Sequence, residues 1–377
     1  MAETADVIVL GLGAMGSSTA YQLARRGSRV IGFDRFHPPH EMGSSHGRAR
    51  IIREAYHEGP SYVPIVQRSY ELWDELEQAS GEQLFRKLGG LIIGPPDGKN
   101  ASGSRQSAQT HGLEHEVLSA DEVRRRYPLF NPNDDWVGVY EARSGALFPE
   151  KCIEANLALA AKAGAELHFD EQVTEWHPDG DGVRVTTAAG SYRADRLVIT
   201  AGAWLPKLVS RLNLPLRVER QVMLWFEPVR NADMFLPENC PNTGWEYEPG
   251  QSFYCQPNFG AGYKVAQHHG GPDTDPDTLV RKANADDEEQ VRALLAKYIS
   301  DANGRLLSAA VCMYTDTPDY DFLMDFHPAH PQVIIGSPCS GHGFKFAAVV
   351  GEILADLATE GRSRFDLDMF GIDRLLK

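Results

Sequence analysis

The sequence predicts two domains, a doubly wound, Rossmann-like α/β domain and an α+β domain built on an antiparallel sheet. First, residues 7–23 read as a strand, a glycine turn and a helix. Second, a buried strand running into small residues recurs at 196–203, and a strand, turn and helix recur at 333–359. Third, strand-like segments with Pro, Gly and Asn breaks fill 216–265, which is typical of an antiparallel sheet. Elements of the α/β domain stand at the start, middle and end of the chain, so we expect domains that are discontinuous in sequence.

The glycine turn at residues 11–16, G-L-G-A-M-G, has the spacing of a turn that binds a dinucleotide phosphate. Gly11 makes the tight turn, Gly13 lets the backbone approach the pyrophosphate, and Gly16 lets helix and strand pack closely. The start of the helix adds free N–H groups and the positive end of its dipole. The next strand ends at Asp34, where a carboxylate accepts hydrogen bonds from a ribose diol and disfavours a 2′-phosphate. The predicted ligand is therefore a dinucleotide other than NADP.

Composition excludes several classes of protein. The 377 residues carry a net charge of −15 from acids spread along the chain, which argues against nucleic acid or an anionic membrane as partners. No apolar stretch approaches the roughly 20 residues of a membrane helix, and the first residues lack the pattern of a signal peptide, so we expect a cytoplasmic protein. The five cysteines include no C-x-x-C pair, so we expect no disulfide framework, no zinc site and no other metal.

Apolar spacing predicts the order of the remaining elements. Helical spacing predicts three longer helices, at about 61–78, 151–163 and 344–359. The glycine- and serine-rich segment 43–47 reads as loop. Between residues 89 and 147 we expect strands alternating with loops, and a capping box from Ser119 to Glu122 that begins one short helix. We assign the nucleotide-binding domain to residues 1–82, 149–212 and 313–377, and the substrate domain to residues 83–148 and 213–312.

Four segments match one known family, in order and spacing, over essentially the whole chain. They are the glycine turn and the segments 43–56 (G-S-S-H-G-R-A-R-I-I-R-E-A-Y), 311–314 (V-C-M-Y) and 340–346 (S-G-H-G-F-K-F). Together they resemble the monomeric sarcosine oxidase family of amine-oxidising flavoproteins, which includes N-methyltryptophan oxidase. The glycine turn is shared by many flavin and nicotinamide enzymes, whereas the other three segments are specific to this family. The resemblance implies an FAD-binding Rossmann-like domain and a second, substrate-binding domain.

The resemblance implies that FAD is held covalently, through a thioether between Cys312 and the flavin 8α-methyl group. By itself, a cysteine in an apolar strand is usually a small buried hydrophobe. Cys339, the other cysteine near the implied flavin, is interpreted as structural. Lys264 matches the lysine that the family places beside flavin N5, where a fixed cation stabilises the superoxide that forms as O₂ takes its first electron. Without the resemblance, a lysine on a strand is most often a solvated surface charge.

Three cations match the residues that the family uses near its substrate. The resemblance implies that Arg50 lies near the flavin ring and the substrate, that Arg53 grips the substrate carboxylate bidentately, and that Lys345 is the second carboxylate-binding cation. If residues 49–56 begin a helical turn, Arg50 and Arg53 share one face of it. Trp245 stands where the sarcosine enzyme has a methionine facing the substrate, so we expect a bulkier, flatter wall there.

The remaining site residues follow from the same resemblance. His46 is implied close to the flavin and His268 in the substrate pocket, neither as an obligatory base, and Tyr254 and Tyr314 are implied to shape the amine site. The candidate catalytic residues are Lys264, Arg50, His268 and Tyr314. The candidate cofactor-binding residues are Gly11, Gly13, Ala14, Met15, Gly16, Asp34, Arg35, Ser44, His46, Arg50, Val173, Ala201, Gly202, Trp204, Cys312, Gly341, Gly343, Phe344 and Lys345.

The reaction implied by the resemblance is oxidation of a secondary α-amino acid at the carbon next to nitrogen. A neutral amine gives the equivalent of hydride to FAD, the imine hydrolyses, and reduced flavin passes two electrons to O₂. Sarcosine would give glycine, formaldehyde and hydrogen peroxide. The expected partners are therefore a small N-methyl amino acid and O₂. We expect neither nucleic acid nor a membrane as a partner. The resemblance also implies that the protein is a monomer.

Three alternatives remain open at this point. Trp245 favours the same chemistry on a bulkier N-methyl amino acid such as N-methyltryptophan, or on a cyclic imino acid such as proline or pipecolate. A more distant alternative is an NAD-dependent dehydrogenase, for which Cys312 and the Ser340–Gly343 turn have no evident use. A binding protein without catalysis is disfavoured because Cys312 and the implied site cations occur together.

Overall fold

The computed structural model describes residues 3–376, and this part of the chain contains eight α-helices and nineteen strands. The helices are α1 (Ala14–Ala24), α2 (Val63–Ser80), α3 (Lys99–His111), α4 (Ala120–Arg126), α5 (Pro149–Lys162), α6 (Leu205–Leu208), α7 (Ala285–Tyr298) and α8 (Ala347–Glu360).

The strands fall into three sheets. In chain order they are β1 (Glu3–Leu10), β2 (Val30–Phe33), β3 (Arg50–Ile52), β4 (Phe85–Lys87), β5 (Gly90–Gly94), β6 (Glu116–Ser119), β7 (Val137–Glu141), β8 (Gly145–Leu147), β9 (Glu166–His168), β10 (Val173–Asp179), β11 (Gly182–Thr187), β12 (Ser191–Ile199), β13 (Arg217–Phe226), β14 (Asn242–Glu248), β15 (Gln251–Gln256), β16 (Tyr263–His268), β17 (Leu306–Asp316), β18 (Leu323–His327) and β19 (His330–Ser337).

The first sheet is the Rossmann-like one that the glycine turn predicts. Strands β1, β2, β9, β12 and β19 pair in parallel, while β10 and β11 extend the sheet on one side and β18 pairs with β19, all antiparallel. Strand β1 is buried on both faces: Val7 and Val9 pack in the cluster with α1, α2, α5 and α8, whereas Ile8 and Leu10 pack in a second cluster. Burial on both faces explains why this strand reads as an uninterrupted apolar run.

The second sheet has eight strands in the order β17-β13-β16-β15-β14-β5-β7-β6, and every pairing except β14 with β5 is antiparallel. One face packs with α7 in a core cluster that includes Phe226, Trp245 and Tyr298. Residues that alternate with these, such as Met223, Ala266 and Cys312, form a separate cluster on the opposite face. The third sheet is small and consists of β3, β8 and β4.

The predicted elements largely occur, with two differences. Helix α2 begins after a short 3₁₀ turn at Pro60–Tyr62, and α8 follows a 3₁₀ turn at Phe344–Phe346, close to their predicted starts. The capping box of α4 has both of its predicted hydrogen bonds. However, α3 lies in a region for which we expected strands, loops and one short helix, and its thirteen residues have little apolar spacing. The segment after residue 49, considered as the start of a helical turn, instead begins with strand β3.

The two large sheets draw on alternating parts of the chain, in line with a discontinuous organisation. Strands of the first sheet lie within residues 3–33, 166–199 and 323–337, and those of the second within 90–141 and 217–316. The boundaries assigned from the sequence stay a prediction. Over residues 3–376, none of the helices is both long enough and apolar enough to span a membrane.

Candidate active site

A large cavity extends from the glycine turn of the first sheet to the non-core face of the second sheet. It brings together most of the residues predicted for the site. Those that line it are Gly11, Gly13, Ala14, Met15, Asp34, Arg35, Ser44, Arg50, Arg53, Val173, Ala201, Gly202, Trp204, Tyr254, His268, Cys312, Tyr314, Gly341, Gly343, Phe344 and Lys345. Four predicted residues are not among the lining residues, namely Gly16, His46, Trp245 and Lys264.

The glycine turn has the geometry that its sequence predicts. Gly11 has a φ of +93°, in the left-handed region that glycine tolerates. A Cβ on Gly16 would lie 1.7 Å from the carbonyl oxygen of Gly11, so helix α1 can approach the turn only because residue 16 is glycine. Gly13 lines the cavity and immediately precedes α1, whose N-terminus has no capping bond from the Gly13 position. Gly13, Ala14 and Met15 all line the cavity, so this end of α1 borders it, as an anion site at a helix N-terminus requires.

The carboxylate of Asp34 is fixed at the edge of the cavity. One oxygen accepts a hydrogen bond from the N–H of Leu12 at 2.7 Å and the other accepts from the N–H of Phe36 at 2.9 Å. The residue is only 7% exposed. Because each carboxylate oxygen can accept more than one hydrogen bond, Asp34 retains capacity for a diol. A 2′-phosphate would meet this negative charge.

Arg35 and Trp204 both donate to the carboxylate of Asp277 on the cavity wall. Arg35 pairs with Asp277 at 2.5 Å, and the indole N–H of Trp204 donates to the same carboxylate at 2.8 Å. The guanidinium also lies 5.9 Å from the centre of the Trp204 ring. The two lining residues are thereby held together by Asp277, which itself lines the cavity.

Two cysteines line the cavity. Cys312 lies on β17, is 3% exposed and packs in the cluster with Met223 and Ala266, and its sulfur is 3.7 Å from the carbonyl oxygen of Ser44. Cys339 lies after β19, and burial raises the pKa of its thiol to about 11. The sulfur of Cys312 is thus close to the 43–47 loop, which also borders the cavity.

Lys264 is fully enclosed and lies behind the cavity wall. Its ammonium donates to the carbonyl oxygens of Gly47 at 2.9 Å and Ala49 at 2.8 Å, and it lies 5.5 Å from the centre of the Trp225 ring. No carboxylate in the described part of the chain forms a salt bridge with it. Burial, reinforced by the positive charge of Arg50, holds the pKa of Lys264 well below its usual value. Backbone carbonyl oxygens, rather than a carboxylate, are therefore the hydrogen-bond partners of Lys264.

His46 belongs to the 43–47 loop and is 2% exposed. Neither ring nitrogen has a hydrogen-bond partner within residues 3–376. Burial, together with the charges of Arg50 and Lys264, lowers the pKa of His46 to about 3, so its imidazole is neutral. A neutral imidazole in this position retains one donor and one acceptor.

Arg53 and Lys345 line the cavity and meet at one buried aromatic ring behind its wall. The guanidinium of Arg53 lies 4.8 Å and the ammonium of Lys345 lies 5.0 Å from the centre of the Tyr56 ring. Arg53 also pairs with Glu58 at 2.7 Å, and its Nε has no partner in the described structure. Lys345 donates to the carbonyl oxygen of His342 at 2.7 Å, and burial lowers its pKa to about 7.

Arg50 and Arg53 do not lie on one face of a helical turn, because the chain forms a strand at Arg50–Ile52. Arg50 begins strand β3 and Arg53 directly follows its last residue, Ile52. Side chains three apart in a regular strand point to opposite faces, so the two guanidinium groups do not share a face by local geometry. Both nevertheless line the cavity, because the chain leaves the strand at Arg53.

Three aromatic side chains form the wall of the second sheet. The Nδ1 atom of His268 lies 3.2 Å from the hydroxyl of Tyr314, and burial holds the pKa of His268 well below its usual value. Tyr254 lies on β15 and is paired across the strands with Gly244 of β14. The three aromatic residues and Gly244 all line the cavity.

The expectation that Trp245 faces the substrate is wrong. Its side chain is fully buried in the core cluster, stacks on Phe253 with 5.6 Å between ring centres, and donates to the hydroxyl of Thr243 at 2.9 Å. Successive strand residues point to opposite faces, so Trp245 enters the core while its neighbour Gly244 lines the cavity. The cavity therefore has a glycine where a flat aromatic wall was expected.

Sequence reasoning missed a polar part of the cavity wall, composed of His57, Glu58, Asn100, Ser104 and Asn242. Asn242 is 1% exposed, and neither its amide oxygen nor its amide nitrogen has a partner within the described residues. Asn100 and Ser104 belong to α3, the helix that apolar spacing did not reveal. No local signal distinguishes these polar residues from surface ones.

The residues present suit FAD. The close-packed glycine turn supplies backbone N–H groups for a pyrophosphate, and Asp34 supplies an acceptor for a ribose. The cavity continues from there past Cys312 to Arg50 and Tyr254, which leaves room for a ring system between the two sheets.

Comparison with known proteins agrees with this arrangement. The family model for FAD dependent oxidoreductases, DAO, matches residues 6–357. The chain is 45% identical to the monomeric sarcosine oxidase of Streptomyces avermitilis, over 100% of this chain and 99% of that protein. It is 41% identical to the monomeric sarcosine oxidase of Bacillus sp. strain B-0618, over 98% of this chain and 96% of that protein. It is 36% identical to the N-methyl-L-tryptophan oxidase of Citrobacter koseri, with 98% of each covered.

Solved structures show the same fold at lower identity. NikD, described as an unusual amino acid oxidase essential for nikkomycin biosynthesis, superposes with a TM-score of 0.84 at 24% identity, covering 98% of this chain and 97% of that one. L-proline dehydrogenase from P. horikoshii superposes with a TM-score of 0.85 at 20% identity, covering 99% of this chain and 98% of that one. The chain belongs to the family of FAD dependent oxidoreductases, among the members that include the monomeric sarcosine oxidases and the N-methyl-L-tryptophan oxidases.

Proposed function

We propose that this protein is an FAD-dependent oxidase of N-methyl α-amino acids that acts on sarcosine, with O₂ as acceptor and glycine, formaldehyde and hydrogen peroxide as products. The observation that carries the proposal is that two buried cations, Arg53 and Lys345, line the cavity that begins at the glycine turn and both contact the ring of Tyr56. FAD, when bound, accepts two electrons from the amine and delivers them to O₂. The similarity to proteins named monomeric sarcosine oxidase supports this substrate, and we further propose that the protein is a monomer.

The two cations suit a carboxylate-binding role. The planar guanidinium of Arg53 can donate two parallel hydrogen bonds, and its Nε has no partner among the residues described. Lys345 adds a compact charge from the start of the last helix. In a buried site these charges attract an anion more strongly than in water. A carboxylate held by both would fix the N-methyl group in one direction, which supplies much of the rate in a reaction that depends on orientation.

The clustered cations also bear on the protonation of the amine. A substrate ammonium must lose its proton before the carbon next to nitrogen can be oxidised. Positive charge from Arg50, from Arg53 and, below a pH of about 7, from Lys345 disfavours the ammonium form and lowers the pKa of a bound amine. His268 is neutral in the free protein because of burial, so it adds no further positive charge to the pocket.

We propose that Lys264 promotes the reaction with O₂. Its ammonium is fixed by two carbonyl oxygens and has no carboxylate to neutralise it in the described structure. A preorganised cation in a water-poor site stabilises the negative charge that forms on oxygen. We also propose Cys312 as the covalent attachment point of FAD, which its position on the cavity wall beside Ser44 supports.

A second candidate function uses the same chemistry on a larger substrate, either a bulky N-methyl amino acid or a cyclic imino acid. Trp245 no longer supports it, but Gly244 does, because the cavity wall beside Tyr254 lacks a side chain at this position. The 36% identity to a protein named N-methyl-L-tryptophan oxidase also supports this alternative.

The decisive experiment measures peroxide release by the purified holoenzyme with sarcosine, N-methyl-L-tryptophan, L-proline, L-pipecolate and glycine. We expect sarcosine to give the highest initial rate and glycine, which lacks the N-methyl group, to give almost none. A higher kcat/KM for one of the larger substrates selects the second candidate. If no substrate releases peroxide and none bleaches the flavin anaerobically, the proposed oxidase function is wrong.

A further inference from the structure

Three metal-ligating side chains meet outside the cavity. Glu219 projects from β13, Asp316 ends β17, and His269 directly follows β16. Their ligand atoms all lie within 4.8 Å of one another. None of the three lines the cavity described above. The cluster thus joins two neighbouring strands of the second sheet to the loop that leaves a third.

The two carboxylates of this cluster are buried, and Asp316 has no hydrogen-bond partner among the described residues. Glu219 is 0% and Asp316 is 3% exposed. Both oxygens of Asp316, the Oε2 atom of Glu219 and the Nδ1 atom of His269 are buried and have no hydrogen-bond partner among residues 3–376. Buried charges are costly unless they are paired or coordinate a metal ion. Asp316 is therefore an unpartnered acceptor enclosed within the cluster.

One cation, Arg217, lies at the edge of the cluster and pairs with only one of its two carboxylates. The guanidinium of Arg217 is 3.2 Å from Oε2 of Glu219, and it also binds Asp273. The Arg217 side chain is 43% exposed. The other oxygen of Glu219 accepts hydrogen bonds from the backbone N–H of Gly271 and the amide of Gln221. Asp316 receives no hydrogen bond from any of these groups.

We propose that Glu219, His269 and Asp316 bind a divalent transition-metal ion, with zinc as the best match. One imidazole nitrogen and two carboxylate groups are a donor set that Zn²⁺ accepts, and a water molecule can complete four-fold coordination. The Nδ1 atom of His269 lies 3.8 Å from Oδ2 of Asp316. Bonds of about 2.0–2.2 Å in a tetrahedron separate ligand atoms by roughly 3.3–3.6 Å, so small side-chain movements suffice. The His269 side chain, 23% exposed, provides the path for entry.

The ion would hold together two parts of the chain that carry cavity residues. The His269 ring lies 4.2 Å from the His268 ring and 5.1 Å from the Tyr314 ring, centre to centre. Asp316 follows Tyr314 by two residues on the same strand. The role assigned to the ion is therefore structural, fixing the loop after β16 against the end of β17. It is independent of the oxidation reaction proposed above.

The test uses untagged holoenzyme that has been dialysed against a chelator at pH 7. Titration calorimetry with Zn²⁺, with Mg²⁺ as comparison, is combined with elemental analysis after removal of free metal and with thermal unfolding. We expect one equivalent of zinc per chain, a raised Tm with zinc, and no comparable effect of Mg²⁺. The substitutions Asp316→Asn and His269→Asn should each weaken zinc binding at least about tenfold.

Asp273→Asn is the matched control, because it removes a neighbouring carboxylate that contacts the same arginine but is not a proposed ligand. It should change zinc affinity by less than the ligand substitutions do. Absence of a saturable equivalent in the wild-type holoenzyme would overturn the proposal, as would equal binding by Asp316→Asn. Equal losses in all three variants would indicate attraction by diffuse negative charge and would also overturn it. His269, whose side chain is 23% exposed, provides a variant that tests the site even if Asp316→Asn fails to fold.

Discussion

The ammonium of Lys264 donates a hydrogen bond to the carbonyl oxygen of Ala49 over 2.8 Å, next to the start of strand β3. This contact joins the second sheet to the segment that carries Arg50. A lysine on a strand is most often a solvated surface charge, whereas this one is enclosed and held by backbone oxygens. Its position supports the oxygen-activating role proposed for it.

Lys264→Met should slow flavin reoxidation by O₂ by about 100-fold or more, because it removes a preorganised cation from the place where charge develops on oxygen. Anaerobic reduction by substrate should change much less. Stopped-flow absorbance measures the two half-reactions separately. Lys297→Met, which removes an exposed lysine of α7, is the control and should alter neither rate. Equal slowing of both half-reactions by Lys264→Met would contradict the role in oxygen activation.

Cys312→Ser should release the flavin from the protein on acid precipitation, whereas the wild-type flavin should remain in the pellet. The reason is that serine cannot form the proposed thioether. Cys339→Ser, which changes the other cysteine on the cavity wall, should keep the flavin in the pellet. The measurement is flavin absorbance in the supernatant and pellet. Free flavin from the wild-type protein would rule out a covalent bond.

Arg53→Met should lower kcat/KM for sarcosine by about 10- to 100-fold, chiefly through KM, because hydrogen bonds to charged groups contribute about 1.5–3 kcal/mol. Arg53→Lys should restore only part of the loss, since an ammonium lacks the bidentate fork. Steady-state peroxide assays provide both constants. Arg68→Met, which removes an ion pair with Glu352 away from the cavity, should leave KM unchanged. An unchanged KM in Arg53→Met would exclude its proposed contact with the carboxylate.

Binding of a simple carboxylate inhibitor such as acetate should weaken as pH rises above about 7. Burial lowers the pKa of Lys345 to about 7, so the free protein loses this positive charge as pH rises through that value. The dissociation constant should then approach a tenfold increase per pH unit. Burial holds the pKa of His57 at about 3 and that of His342 at about 4, so neither titrates in this range.

The matched variant for this pH dependence is Lys345→Arg. A guanidinium keeps its proton throughout the range, so the inhibitor constant should become nearly independent of pH between 6 and 9. Flavin difference spectra during titration provide the constants. A flat profile in the wild-type protein, or an equal slope in the variant, would show that Lys345 does not control carboxylate binding.

Gly244→Met should reduce activity on bulky N-methyl amino acids more than activity on sarcosine, because it adds a side chain to the cavity wall beside Tyr254. Trp245→Phe is the neighbouring control on the other face of the strand. It should leave the order of substrates unchanged and lower the free energy of unfolding by about 1–3 kcal/mol. Relative kcat/KM values test the expected order of substrates, and thermal unfolding tests the expected loss of stability. A change in substrate order caused by Trp245→Phe would contradict the observed direction of that side chain.

Local sequence patterns predicted those parts of the fold that near neighbours stabilise. The glycine turn depends on the conformation of Gly11 and on the packing of Gly16 against it, and both contacts lie within six residues. The capping box of α4 likewise lies within four residues, Ser119 to Glu122. Such features are set by short-range sterics and hydrogen bonds, so the sequence reveals them directly.

Helix α3 shows why other elements were not predicted. It has few apolar residues, and its first N–H groups, at Lys99 and Asn100, donate to Glu246, a residue far away in the chain. The helix N-terminus is thus satisfied by a side chain of β14 rather than by a local cap. Because α3 supplies Asn100 and Ser104, the polar wall of the cavity could not be predicted either.

The sequence by itself determined the nucleotide turn, the family and the identity of the cations and cysteines available for the site. Only the tertiary structure decided which of two adjacent residues, Gly244 or Trp245, faces the cavity. It also brought Glu219, His269 and Asp316 together, although no spacing of metal ligands connects them in the chain. The physical reason is that strand register and packing across sheets depend on residues distant in sequence, whereas turns and caps depend on immediate neighbours.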